Sequence, residues 1–175
     1  MLDFSWGIFD GTLSSTGVPT GSAITASRTS TQVLDILSNP STPNVIRNLG
    51  AGPVIGLHVD VTTTFLTLTS LQVEFDVSPD NSTWYQIALS PVYPAVDLIA
   101  GASIFRYALP SSQQGLNWAA GINKISPRYL RLNYTVAGSN ATAGAVFAYL
   151  SPLLDRNQFE AITANYSVGV AAGEI

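Results

Sequence analysis

Hydrophobic residues recur at every second position in two stretches near the middle of the chain. In LHVDV, Leu57, Val59 and Val61 share one side while His58 and Asp60 take the other. In LQVEFDV, Leu71, Val73, Phe75 and Val77 oppose Gln72, Glu74 and Asp76. Successive side chains of a strand point to opposite faces, so this period predicts strands with one face against a core. Further strands are expected at Thr31–Ile36, Thr83–Leu89, Ile104–Leu109, Arg128–Val136 and Ala143–Leu150. Turn-forming clusters punctuate them: SNPSTPN, GAGP, SPDNST and LPSSQQG. Pro79, Asp80 and Asn81 favour a tight turn, so SPDNSTW is expected to be a hairpin loop. About seven or eight strands at this spacing predict an all-β chain, a jelly-roll β-sandwich with extended N- and C-terminal arms.

The stretch RYLRLNYTVAGSNATAGAVFAYL, residues 128–150, reads as a second hairpin. Leu130, Leu132, Tyr134 and Val136 form its inward set, which puts Tyr129, Arg131, Asn133 and Thr135 on the other face. The returning strand is apolar on both sides, with Val146, Ala148 and Leu150 opposed by Phe147 and Tyr149, so both of its faces call for cover.

Residues 1–26 are rich in Gly, Ser and Thr and carry Phe4, Trp6 and Phe9. They read as an N-terminal arm whose aromatics need a surface to bury them. Residues 27–158 are expected to form the β domain and 159–175 a C-terminal tail. DRNQFEAI, residues 155–162, has helix-like composition but is short for an independent helix.

Composition narrows the function. Charged residues make up 10% of the chain, against roughly 25% in an ordinary soluble domain. Lysine occurs once, at Lys124, although lysine commonly blunts exposed sheet edges. Such surfaces suggest cover by partners. The net charge is −4 and the arginines are scattered, so nucleic-acid binding is not expected. No run of about 18 apolar residues predicts a membrane span, and no export signal is expected at the N-terminus. The chain has no cysteine, which excludes disulfides and thiol chemistry.

Candidate chemistry is sparse. His58 is the sole histidine and reads as an outward strand residue rather than a base. Glu74 and Asp76 project from one face about 7 Å apart, within reach of paired glycosidase carboxylates, but a solvated face gives the same pattern. Asp76, Asp80 and Asn81 offer oxygens near one turn without the calcium-loop spacing. No G-x-S-x-G or Gly-rich phosphate loop is present, and no cofactor or metal is expected. Four N-x-S/T sequons, at Asn81, Asn133, Asn140 and Asn165, read as unmodified. Trp84, Tyr85 or Trp118 could form a sugar-stacking platform, although core and interface packing use such residues more often.

Tyr129 through Gly138 fits the form Y-L-R-L-x-Y-x-V-x-G, and Thr142 through Leu150 supplies a T-A-G and a final apolar strand, with Asp155 and Arg156 following. On these residues the chain resembles bacteriophage capsid cement (decoration) proteins of the Bordetella-phage type. ITASRTSTQVLDIL is similar to that family's first strand, and GLHVDVTTTF with LQVEFDVSPDNSTW to its central strands. The resemblance covers about Ala26 to Gln158. It implies a jelly-roll subunit on the outer surface of the virion capsid, made in the host bacterial cytoplasm and bridging phage major capsid proteins without chemistry of its own.

Expected partners are the major capsid protein and the chain itself, as a homodimer or homotrimer on a shell axis. Candidate interaction residues are Phe4, Trp6, Phe9, Tyr129, Arg131, Asn133, Phe147, Tyr149 and Arg156. An outward arginine adds little to a core, so Arg131→Ala is expected to weaken attachment and leave the fold intact. The rival reading is a glycan-binding or host-adhesion β-sandwich on the virion.

Overall fold

A computed structural model describes residues 7–14, 17–36, 55–109, 118–120, 123–125 and 127–152. Its strands, in chain order, are β1 Ile8–Asp10, β2 Thr12–Leu13, β3 Pro19–Thr20, β4 Ser22–Ala23, β5 Arg28–Thr29, β6 Leu34–Asp35, β7 Ile55–Ser78, β8 Tyr85–Leu89, β9 Tyr93–Pro94, β10 Ser103–Ala108, β11 Trp118–Ala120, β12 Asn123–Ile125 and β13 Tyr129–Pro152. A 3-10 turn occupies Ala95–Asp97. The expectation of an all-β sandwich holds.

Two strands of 24 residues organise the molecule. β7 and β13 pair antiparallel along their whole length, from Tyr129 opposite Ser78 to Pro152 opposite Ile55. β8, β9 and β10 add to β7, while β1, β4, β5 and β6 add to β13. LHVDV and LQVEFDV are therefore two ends of one strand. So are RYLRLNYTV and AVFAYL, which corrects the expected hairpin at residues 128–150. AGSNATAG does not reverse the chain. It forms a bulge, with register shifts between Ala137 and Val146.

Side-chain bonds from β7 hold that bulge. Thr67 Oγ1 donates to the Asn140 carbonyl at 2.8 Å and accepts from the Thr142 N–H at 3.0 Å. Thr67 itself sits at φ 73, rare for a β-branched residue. Gly144 adopts φ +140 where a Cβ would run into the Phe65 ring, so the inside of the bend has no room for a side chain.

The ribbon folds over at these bulges, and its two halves face each other across one core. Phe75 in one half lies 5.9 Å from Tyr107 of β10, which flanks the other half. Leu57, Val59, Val61, Leu71, Val73, Phe75 and Val77 are all buried. Leu130, Leu132, Tyr134, Val146, Ala148 and Leu150 are buried opposite them, so the period-two readings hold.

The N-terminal reading needs correction. The described residues between 7 and 36 form a strap along the free edge of β13, pairing at Tyr149–Ala148, Val146–Ala145, Tyr134–Asn133 and Leu130–Tyr129 in turn. Phe9 and Ile24 are fully buried, and Ile8, Leu34 and Ile36 nearly so. Phe9 meets Phe75 edge-on at 6.3 Å. Each such side chain contributes roughly 1.5–3 kcal/mol of burial. The Gly, Ser and Thr content misleads because the strap covers an edge with short ladders and needs few large residues. The C-terminal tail and the helix-like residues 155–162 lie outside the described residues.

Candidate interaction surface

The face of Arg131 and Asn133 is closed by its own side chains. β13 sets Arg131 opposite Asp76 and Asn133 opposite Glu74. Asp76 is 3% exposed. It accepts from Arg131 Nε at 3.1 Å, forms an ion pair through Arg131 Nη2 at 3.1 Å, and accepts from Asn133 Nδ2. The Arg131 guanidinium lies 4.0 Å from the centre of the Trp84 ring, a cation–π contact that caps the pair. Burial, and then the neighbouring Asp76 carboxylate, push the Glu74 carboxyl above its usual range. Asp76 is thus engaged by Arg131 and Asn133 rather than standing as an open carboxylate beside Glu74. Tyr129 lies 4.8 Å beneath Arg128, which is paired with Asp35 at 3.1 Å.

Phe147 and Tyr149 find their cover within the chain. Phe147 is 6% exposed, and Gly11 of the strap passes so close that a Cβ there would run into its ring. Tyr149 stands opposite Ile8 of β1 on one side and His58 of β7 on the other. Its ring stacks on His58 at 5.2 Å and its hydroxyl donates to Asp60 at 3.2 Å. The His58 imidazole is held below its ordinary proton affinity, first by burial and then by Arg106. His58 Nε2 is buried and meets no hydrogen-bond partner among the described residues. The second face that needed cover at residues 143–150 is thus satisfied by the strap.

Of the other candidates, Phe9 lies in the core, and Phe4, Trp6 and Arg156 fall outside the described residues. Asp80 organises the turn after β7, accepting from the Ser82 and Thr83 N–H groups at 2.9 and 2.8 Å. Those bonds hold its carboxyl well below the usual range.

Two features escaped the sequence reading. One is Asp10, fully buried, which accepts from Arg28 at 2.9 Å, the Thr31 N–H at 3.1 Å, the Thr31 hydroxyl at 3.0 Å and the Tyr134 hydroxyl at 2.8 Å. Its only sequence signal was a carboxylate between Phe9 and Gly11. Burial, with Asp10 adding to it, pushes the Tyr134 hydroxyl well above its ordinary range.

The other is the connection from β8 to β10. Leu89, Val92, Val96 and Ile99 are 48%, 58%, 77% and 55% exposed. Asp97 is the sole charge between Tyr85 and Phe105. The connection is nonetheless bound tightly to β7. Ser90, almost wholly buried, exchanges bonds with the Val73 backbone at 2.8 and 2.9 Å. Leu98, fully buried, accepts from the Phe65 N–H at 3.0 Å, and Ala100 donates to Thr64 Oγ1 at 3.0 Å. An open groove of about 620 Å³ adjoins it, lined by Ile87, Leu89, Pro91, Tyr93, Phe105 and Tyr107 among others. Four apolar side chains are thus displayed outward on a backbone ordered in advance, which lowers the entropy lost on docking.

A family model described as Bbp16 matches residues 18–150. The chain belongs to the Bbp16 family. The match takes in most of the strap, β7 and all but the last two residues of β13, the Arg131–Asp76 pair and the whole apolar connection. As a Bbp16 member the chain carries these features within the shared region, whereas Asp10 precedes it. A comparison with curated proteins finds no match.

Proposed function

We propose that the protein is a structural component of a phage virion, a capsid cement protein that binds the outside of the head and bridges major capsid proteins. The family's name points to a Bordetella phage protein, and the resemblance of residues 26–158 to cement proteins gives the finer reading. The observation that carries it is the apolar connection at residues 89–99, held rigid by β7 and nearly free of charge. Interface cores are depleted in charged residues and gain from order set before binding. A stable interface buries roughly 1,200–2,000 Å², so this patch would be the centre of a larger contact.

The test is sedimentation of purified protein with shells stripped of it. Val96→Asp places a charge on the most exposed of the four side chains, and it should cut shell binding at least tenfold while leaving the melting temperature unchanged. Full binding by Val96→Asp would overturn the assignment of this surface. Glycan binding finds less support, because Arg131 already covers one face of Trp84.

A further inference from the structure

The strap's ladder contacts have an unusual distribution. β1, β4, β5 and β6 each pair with β13 and with no other strand. Apart from the small β2–β3 hairpin, the described residues of the strap form no ladder of their own. It supplies Ile8, Phe9, Ile24, Leu34 and Ile36 to the core and closes on Tyr134 through Asp10. The β13 edge therefore presents a groove shaped for this one sequence, and leaving it empty would expose both those side chains and the core beneath them. Only an identical strap restores every contact.

We infer that the strap is an exchangeable element, seated on β13 of its own chain or on β13 of a second copy. Residues 37–54 join Ile36, at the Tyr129 end of β13, to Ile55, at the Pro152 end. Fully extended, they reach about 60 Å, enough to span to a neighbouring molecule of this size. Exchange of an identical element costs little because the contacts made equal those broken. A copy so joined contributes its own Asp10, Phe9 and Ile24 to its neighbour's core. This inference stands apart from where the protein attaches on a virion.

The native chain lacks cysteine, which makes a clean test possible. Ala23 and Ala145 are directly paired across β4 and β13. One chain carrying Ala23→Cys and another carrying Ala145→Cys are co-expressed, purified and oxidised. Exchange predicts a covalent heterodimer on a non-reducing gel, several-fold above the dimer from either variant alone. A control pairing of Ala23→Cys with Val96→Cys should give none. The doubly substituted chain, Ala23→Cys with Ala145→Cys, should give both a closed monomer and linked dimers, the dimers rising with concentration. Closed monomer alone at every concentration, or equal heterodimer from the control pairing, would overturn the inference.

Discussion

Replacing Arg131 by Ala removes both N–H contacts to Asp76 and the cation over Trp84. Asp76 is left with a charge that is only 4% exposed at the side chain, and with Asn133 of β13 still donating to it. Breaking a fully buried pair costs about 3–5 kcal/mol. The Arg131 side chain is 23% exposed, so water entering the vacated space offsets part of this, and a hydrogen bond to a charged group is worth roughly 1.5–3 kcal/mol. Adding the lost cation–π contact, about 0.5–1 kcal/mol at a partly exposed site, the expected loss is about 2–4 kcal/mol. In a chain of this size that lowers the melting temperature by roughly 4–16 °C. The assay is urea unfolding followed by circular dichroism, on Arg131→Ala, Asp76→Asn and the double variant. Because the two side chains form one unit, the double variant should cost less than the sum of the singles by at least about 1.5 kcal/mol. Additive effects, or an Arg131→Ala chain as stable as the parent that fails to bind shells, would refute the structural role and restore Arg131 as a partner-facing residue.

Asp10→Ala should destabilise by about 2–4 kcal/mol, since Arg28 and the Tyr134 hydroxyl lose their buried acceptor. Limited proteolysis should then cut residues 7–36 before the rest of the chain, and an unchanged digestion pattern counts against the clasp. Gly144→Val meets both a positive φ and the Phe65 ring, so at least about 3 kcal/mol of lost stability, or loss of soluble protein, is expected. A parent-like melting curve would show that the bend does not need glycine. His58 binds a proton less readily in the folded chain than its ordinary value of 6.5. Its contribution to stability is therefore complete above that pH and is lost as the pH falls below it. The urea midpoint should drop between pH 7.5 and 5.5, and His58→Gln should flatten that slope. Identical slopes would place the proton uptake elsewhere, with Asp60, Arg106 and Tyr149 the charged and titratable groups around the ring.

Much of the core was legible along the chain. The alternations at residues 57–61, 71–77 and 130–134 each name the buried face, because one buried side leaves a period of two that turns and bulges do not erase. The bends were read wrongly for a physical reason. Gly, Ser, Asn and Thr serve a reversing turn and an in-line bulge equally well, and what separates the two at AGSNATAG is the bond from Thr67, which lies on another strand. Arg131 was placed on the right face, but its bond to Asp76 was not legible, since that partner stands 55 positions away. The apolar connection at residues 89–99 has no period, because its exposed residues project from a loop whose shape is set by Ser90 and Leu98.

Alone, then, the sequence determined an all-β chain, poor in charge, with its inward residues named and a likeness to phage cement proteins. Those properties are local: alternation and composition act within a few residues. Tertiary structure decided that four expected strands are two, that the N-terminal residues cover β13, and that the polar face of Arg131 is shut while residues 89–99 are open. Each of these depends on which distant residue arrives to share a hydrogen bond or fill a gap, and spacing along a chain carries no record of that.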